Sequence, residues 1–521
     1  MTDLHTHLTV LRTAVNTHAS AILFKLTLPT TPISYQEITY QSFLSSVSDS
    51  AIYWSNKLRL PTGTVVGLWL NGFLYSNYVH IFGISMAGYI PQLFSLRLPN
   101  PKIIRLLLQK SGAKAVIMDK SFEGVLDGHI APTISELEEY ILHQADSSPE
   151  DFCSSQSTSS DSHHSSSPSD SCPITPQIAQ GIIYHTSGST SGIPKIIPSS
   201  TSKLRGMVQK SHFSVTPGIS TAIGSICHVA QMFLLLGGLQ HRATIILPSA
   251  IPFPVAELKI MIREAGLQKL YLFSSFLSTF LRAAKEDKQL LGMLRGLECV
   301  MYSGLPLPED DVKYGLREGI RLQNFYGSTE CGGGMMSSPI GRPDCLVPYP
   351  VVDYRFTDKG ELVVKKESVD CTPVELRDER GDYWTGDLFE RLDEGWRFRG
   401  RDDDLMKMAN GLCCEPRWVE EEVMRRCQDL VVACVVVGQG RRGPAVFVEV
   451  EREREGLRGT IVERLRDWME ERYLHERVTE QRFVVVVKKG ELPRTETKGN
   501  VRRKAVEEQW KGVLDEMYGD C

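Results

Sequence analysis

The stretch His185-Thr186-Ser187-Gly188-Ser189-Thr190-Ser191-Gly192-Ile193-Pro194-Lys195 follows the apolar run Gly181-Ile182-Ile183-Tyr184. An apolar run that breaks into hydroxyls and glycines predicts a buried strand handing over to a flexible loop. Glycine lets backbone N–H groups point inward, Ser and Thr add side-chain donors, and the terminal Lys adds a point charge. Together these suit the anionic oxygens of a polyphosphate. A plain Ser/Gly surface turn has the same composition. A P-loop is excluded, because no G-x-x-x-x-G-K-S/T can be written here.

Around this loop, the 521 residues exceed what one core spans, so at least two domains are expected. A hydrophobic share of 42% and a charged share of 23% are ordinary for a globular protein, and a net charge of −5 disfavours nucleic acid as a partner. Twelve scattered cysteines without a C-x-x-C pair fit a reducing, cytoplasmic compartment better than a disulfide framework. Asp3, His5, His7 and Arg12 leave no apolar core for a signal peptide. Thr64 to Leu96 lacks charge, yet Asn71, Ser76, Asn77, His80, Ser85 and Gln92 interrupt it, so no membrane span is expected. It reads instead as a strand (Val65–Leu70), a core helix (Leu74–Met86) and the start of a second strand.

Short β-branched runs alternate with helical periods on both sides of the loop. Ala115–Met118, Thr244–Leu247, Leu270–Phe273 and Cys299–Tyr302 read as strands, and Ile103–Lys110 and Val255–Ala265 as helices. That alternation predicts an α/β fold with parallel strands. Residues 146–176 collapse into Ser, Asp, His and Pro and read as a disordered insertion, with His163 and His164 in a solvated linker. Beyond Gly400 a separate α+β unit is expected. Pro416 opens a helix to Cys427, strands follow at Val431–Val437 and Ala445–Val450, then a helix Ile461–Tyr473 and a strand Phe483–Val487.

The quoted loop resembles the phosphate-binding signature of the adenylate-forming (ANL) superfamily, which includes acyl-CoA synthetases, luciferases and adenylation domains of nonribosomal peptide synthetases. Thr186, Ser187, Gly188, Ser189, Thr190, Gly192, Pro194 and Lys195 match, with Ser191 as one extra residue. Asn324-Phe325-Tyr326-Gly327-Ser328-Thr329-Glu330 resembles the second signature, Y-G-x-T-E. Tyr383-Trp384-Thr385-Gly386-Asp387 and Gly400-Arg401-Asp402-Asp403-Asp404 resemble the third and the hinge. Leu492-Pro493-Arg494-Thr495-Glu496-Thr497-Lys498-Gly499 resembles the segment with the catalytic lysine. Ala87-Gly88-Tyr89-Ile90-Pro91, the Asn410-Gly411 pair after Lys407 and the Lys-Gly order at Lys498 are closest to stand-alone adenylation domains of fungal NRPS-like acid-activating enzymes.

The resemblance implies a large N-terminal α/β domain of layered sheets and helices (1–401), and a small mobile C-terminal α+β domain (402–521) hinged at Asp403. It implies ATP and Mg²⁺ as cofactors. His185, Thr186, Ser187, Gly188, Ser189, Thr190, Gly192 and Lys195 would surround phosphate, and Asn324, Tyr326, Gly327, Ser328 and Thr329 the adenine and α-phosphate. Glu330, a hard oxygen ligand, would take the metal. Asp387, with two acceptor oxygens, would hold the ribose hydroxyls beside Arg401. Lys498 would be the catalytic cation, with Lys504 as fallback.

Amino-acid-activating relatives carry an Asp for the α-amino group where this chain has Ile226–Met232, with His228 in its place. A buried ammonium there would be unpaired, so an α-amino acid is disfavoured. His228 either faces the substrate carboxylate as part of the catalytic set, or gates the pocket, or is a core histidine. Phe273, Ser274, Ser303, Gly304 and Cys331–Gly333 are the expected pocket walls, with Gly332–Gly334 leaving space for an aryl, keto or hydroxy acid. The expected function is activation of a small carboxylic acid to acyl-AMP and its transfer to CoA or a phosphopantetheine thiol, in secondary metabolism. A carrier protein or reductase would be a separate partner, because neither motif occurs before Cys521. An acyl-CoA synthetase of primary metabolism and a nucleotide-binding protein without turnover are the alternatives.

Overall fold

The computed structural model describes residues 6–28, 30, 33–95, 101–122, 138–142, 181–186, 194–304, 306–401, 406–493, 501 and 503–519. The Ser-rich insertion at 146–176 lies outside them.

Val/Ile-rich runs buried on both faces form parallel strands, as the pattern requires. A six-stranded sheet has the order Glu138–Leu142, Ala115–Asp119, Val65–Leu70, Ile90–Ser95, Ile182–Thr186, Lys195–Ser199. Its strands are parallel except the last, which returns antiparallel with Thr186 opposite Lys195. The phosphate-loop candidate therefore joins the two arms of a hairpin at the sheet edge. A nine-stranded sheet has the order Val347–Pro348, Gly333–Ser337, Leu322–Ser328, Cys299–Ser303, Lys269–Phe273, Ile219–Thr221, Thr244–Leu247, Ile22–Leu28, Ser34–Thr39. It is parallel from Leu322–Ser328 to Ile22–Leu28 and antiparallel at both edges.

The uncharged segment folds as expected, with the strand Val65–Leu70 and a helix Tyr75–Met86 buried from Tyr75 to Ser85. The helix shares one core with residues of both sheets, among them Leu68, Phe24 and Ile245. Asn77, one of the residues that spoke against lipid, accepts the Gly72 N–H at 2.9 Å and so ties the preceding turn to the helix start. Among the described residues no helix is long and apolar enough to cross a membrane.

A four-stranded antiparallel sheet (Tyr354–Phe356, Glu361–Val364, Tyr383–Leu392, Gly395–Arg401) leads to the C-terminal unit. That unit has its own core, including Met406, Val419, Val446, Ile461 and Val484. Its Pro416–Cys427 helix begins on proline as expected, but the next helix is Leu457–Glu470 and not Ile461–Tyr473. Gly456, at φ +73, starts it earlier, and the stripe Leu457, Ile461, Leu465, Met469 seats it. Tyr473 leaves the helix and packs with Trp69 and Phe94 of the large unit. The Ser275 hydroxyl also donates to the Ala409 carbonyl across the two units. The described cysteines form no disulfide.

Three desolvated histidines give the fold an acid limit. Burial pulls His7 from 6.5 to about 3, and His80 and His185 to about 4. Neither nitrogen of His7 has a hydrogen-bond partner among the described residues, and His80 Nδ1 accepts from the Trp54 indole N–H at 3.1 Å. Each group binds its proton more readily unfolded. Their contribution is therefore complete above pH 6.5 and is lost as pH falls toward 4, at about 1.4 kcal/mol per pH unit per group. Urea unfolding midpoints are expected to fall between pH 6.5 and 4.5, and His7→Phe to flatten that fall. A midpoint constant over this range would contradict the assignment.

Candidate active site

At the sheet edge the His185 ring stacks on Phe94, with centroids 4.5 Å apart and planes 17° from parallel. A carbonyl only accepts, so Nδ1–H donates to Leu93 O at 3.0 Å, leaving Nε2 to accept from the Gln92 amide at 3.0 Å. Gln92 in turn accepts the Ser111 hydroxyl at 2.6 Å. Held this way and desolvated, the ring is neutral near pH 7, so His185 forms a rigid wall and brings no charge to a phosphate. The neighbouring Thr186 Oγ1 is buried without a hydrogen-bond partner among the described residues.

The strand Leu322–Ser328 turns at Gly327, where a Cβ would lie 2.2 Å from the Gly333 carbonyl oxygen; only glycine passes there. The Tyr326 hydroxyl donates to Asp387 Oδ2 at 2.5 Å, and the Tyr326 ring packs on Phe389 and Phe398 at 5.1 and 6.0 Å. Asp387, 4% exposed, is steadied by its own N–H donating to Thr385 Oγ1 at 3.1 Å. Gly386 N–H donates to Glu361 Oε1 at 3.1 Å, and the Arg401 backbone stands opposite Asp387 in register.

These elements converge on one cavity of about 490 Å³. His185, Thr186 and Lys195 enter from the hairpin, Gly327, Ser328, Thr329 and Glu330 from the strand end, and Asp387 from the small sheet. His228, Phe273, Ser303 and Gly304 complete the opposite wall. A second cavity of about 560 Å³ is lined by Asn324 and Tyr326 and shares Gly304, Phe325, Gly327 and Lys407 with the first.

His228 caps the helix Val229–Gln240, with Nδ1 accepting the Ala230 N–H at 3.2 Å. That assignment puts the proton on Nε2, which makes the ring a neutral donor, set edge-on to Phe273 at 5.9 Å. The same cavity is also lined by Ser225, Cys227, Val229 and Ala230, and its carboxylates are Glu330, Glu361 and Asp387.

The glycine expectation needs correction. Gly332 does not line the cavity; a Cβ there would lie 2.8 Å from Met207 Cγ. Gly333 lines it as expected, but Gly333 and Gly334 leave room for Phe233, which lies 2.8 Å from a Cβ built on either. Ser274 turns its hydroxyl to the Ser303 carbonyl at 3.1 Å, and Cys331 is buried at 0% exposure away from the cavity.

Residues 12–369 match the model of the AMP-binding enzymes and residues 403–521 that of the AMP-binding enzyme C-terminal domain. The chain belongs to the AMP-binding enzyme family. It is 30% identical to the AMP-binding domain-containing enzyme iboA of Amanita muscaria, over 94% of this chain and 98% of that one. It is 24% identical to the adenylate-forming reductase Nps11 of Serpula lacrymans, over 88% of this chain and 44% of that one. Among solved structures it resembles o-succinylbenzoate CoA synthetase from Bacillus subtilis at TM-score 0.70 and 15% identity, covering 96% of this chain and 98% of that one. The same synthetase solved with ATP and magnesium ion aligns at TM-score 0.60 and 14% identity, over 96% and 99%. The fold is thus that of the adenylate-forming acyl-CoA synthetases, with a large N-terminal and a smaller C-terminal domain.

In this AMP-binding enzyme, Ser187, Gly188, Ser189, Thr190 and Gly192, the hinge candidate Asp403 and the lysine candidate Lys498 lie outside the described residues. Lys504 is exposed on the helix Arg503–Gln509 and lines neither cavity. Among the cavity residues that were missed, Leu93, Phe94, Glu361 and Leu376 come from the large domain, and Lys407, Leu412, Cys413, Tyr473 and His475 from the C-terminal domain. Lys407, whose ammonium sits 4.6 Å above the Phe398 ring, was visible through its place before Asn410-Gly411. Tyr473 and His475 carry no sequence signal, because domain docking alone brings them in.

Proposed function

We propose that this enzyme activates a small aryl, keto or hydroxy acid with ATP to acyl-AMP, and then passes the acyl group to a thiol of CoA or of a separate carrier protein. The observation that carries this reading is that Thr186, Lys195, Glu330, Asp387 and His228, far apart in sequence, bound one cavity. Thr186 and Lys195 hold phosphate oxygens, which suits a buried hydroxyl with no partner among the described residues. Asp387 accepts from the ribose, and Tyr326 fixes its orientation. Arg401, in register with Asp387, lies beside it. The loop 187–193 completes the phosphate cradle.

Among the described residues no group of three or more His, Cys, Asp or Glu gathers to hold a metal. Glu330 then serves as a lone carboxylate, and this suits Mg²⁺, which binds through one or two carboxylates plus phosphates and water. Bound there, the ion neutralises phosphate charge. His228 Nε2–H donates to the substrate carboxylate and orients the oxygen that attacks the α-phosphorus as the bond to pyrophosphate breaks. Lys498, on a C-terminal domain (402–521) pivoting at Asp403, stabilises the charge developing in that step. His228, standing where amino-acid-activating relatives carry an Asp, disfavours an α-amino group. A cytoplasmic role in secondary metabolism, alongside a separate carrier protein or reductase, fits this chemistry.

Pyrophosphate exchange with aromatic, keto, hydroxy and amino acids side by side tests the reading. Exchange is expected with an acid lacking an α-amino group and absent with the amino acids. No exchange with any acid, alongside measurable ATP binding, would favour nucleotide binding without turnover. AMP release that depends on CoA would identify the acceptor.

A further inference from the structure

The helix Thr201–Ser211 carries two buried lysines on a single stripe. Lys203, Gly206, Met207 and Lys210 follow the i, i+3, i+4, i+7 spacing of one helix face. That face lies against two backbone segments at close range. A Cβ on Gly206 would be 2.0 Å from the Val369 carbonyl oxygen, and one on Gly332 would be 3.5 Å from Lys203 Cε. Lys210, fully buried, donates to the Cys331 carbonyl at 2.7 Å and pairs with Asp370 at 3.1 Å.

Lys203 is different. It is 5% exposed, and among the described residues its ammonium has one hydrogen-bond acceptor, the neutral backbone carbonyl of Glu330. Burial outweighs the Glu330 and Asp370 carboxylates that favour its charge, so the cation is a costly way to fill space that methionine would fill as well. The carbonyl it holds belongs to the residue whose side chain lines the cavity beside Thr329. Holding that carbonyl fixes the peptide plane after Glu330, and with it the direction of the Glu330 Cα–Cβ bond. The helix also begins at its Ser200 cap, directly after the strand Lys195–Ser199. One rigid element therefore sets both Lys195 and Glu330.

We propose that Lys203 is a positioning residue: by holding the Glu330 carbonyl it aims the Glu330 carboxylate at the divalent cation that accompanies the nucleotide, without touching ligand itself. This rests on the reading of Glu330 as the metal-binding carboxylate. Outer partners of metal ligands are worth about ten- to a hundredfold in metal affinity.

The test uses the full chain with Mn²⁺ as a paramagnetic probe and a non-hydrolysable ATP analogue, and measures bound Mn²⁺, metal-free analogue affinity and thermal midpoint. Lys203→Met is expected to weaken Mn²⁺ binding about tenfold, with analogue affinity unchanged and a thermal midpoint at or above that of the parent. Lys203→Gln, which keeps a shorter donor, is expected to fall between the two, and reads the same quantity if the Met variant does not accumulate. Mn²⁺ binding within about twofold of the parent in a folded Lys203 variant, while Glu330→Gln weakens it tenfold, would overturn the positioning role alone. Mn²⁺ binding unaffected by Glu330→Gln would remove the metal reading of Glu330, and the proposal with it.

Discussion

Lys498→Ala is expected to lower pyrophosphate exchange by about a thousandfold, leaving ATP affinity close to that of the parent. On the proposed reading the nucleotide is held by other groups, the Thr186–Lys195 hairpin mouth, the Glu330 turn and Asp387, which line one cavity. On that reading the lysine acts as negative charge builds on the α-phosphate oxygens and the departing pyrophosphate, and an interaction made only then shows in turnover and not in binding. The described residues on either side of it are held in place. Gly490 and Leu492 N–H groups donate to Glu449 at 3.1 and 2.8 Å, and Arg503 pairs with Glu420 at 2.8 Å and donates to the Val436 carbonyl at 2.7 Å. Lys504, exposed on the following helix, is the control, and its alanine variant is expected to exchange pyrophosphate at the parental rate. Full activity in Lys498→Ala together with loss in Lys504→Ala would transfer the role to the fallback residue.

Much of this architecture was legible because local chemistry and global fold agree. Val65–Leu70 and Thr244–Leu247 are apolar strands with the bounds read from sequence, and Pro416 starts its helix where a missing N–H costs nothing. Motif residues also converge as read, since Thr186, Glu330 and Asp387 each sit where a strand end or hairpin meets the same cavity. What failed was inference about space. Gly332 to Gly334 read as room for substrate, whereas their size answers to Met207 and Phe233 packing from two helices, and no local pattern reports a distant neighbour. The expectation of parallel strands missed the antiparallel return at Lys195–Ser199, because a β-branched run looks the same in either direction. Lys203 and Lys210 were invisible for a related reason. In sequence they are ordinary helix lysines, and only the fold buries them against backbone carbonyls.

Lys210→Met is expected to destabilise the large domain by about 3–5 kcal/mol, the cost of leaving a buried carboxylate without its counter-ion. The ion pair is closed to water, with Lys210 and Asp370 side chains 0% and 1% exposed. Asp370 keeps the Ser368 hydroxyl at 2.6 Å and the Tyr354 hydroxyl, but neutral donors do not match a full charge. The methionine stem still reaches Phe233, over whose ring the ammonium now sits at 5.7 Å, so packing loss is the smaller part. Asp370→Asn in the same chain removes the stranded charge and keeps an oxygen acceptor for one of the two hydroxyls. The double variant is therefore expected to recover about 2 kcal/mol of the loss in urea unfolding, a coupling typical of residues in direct contact. A single Lys210→Met variant as stable as the parent would mean that Asp370 does not carry its charge into the folded state. The turn that presents Glu330 would then rest on Lys203, on Met207 and on the Cys331 N–H donating to Ser328 Oγ at 3.2 Å.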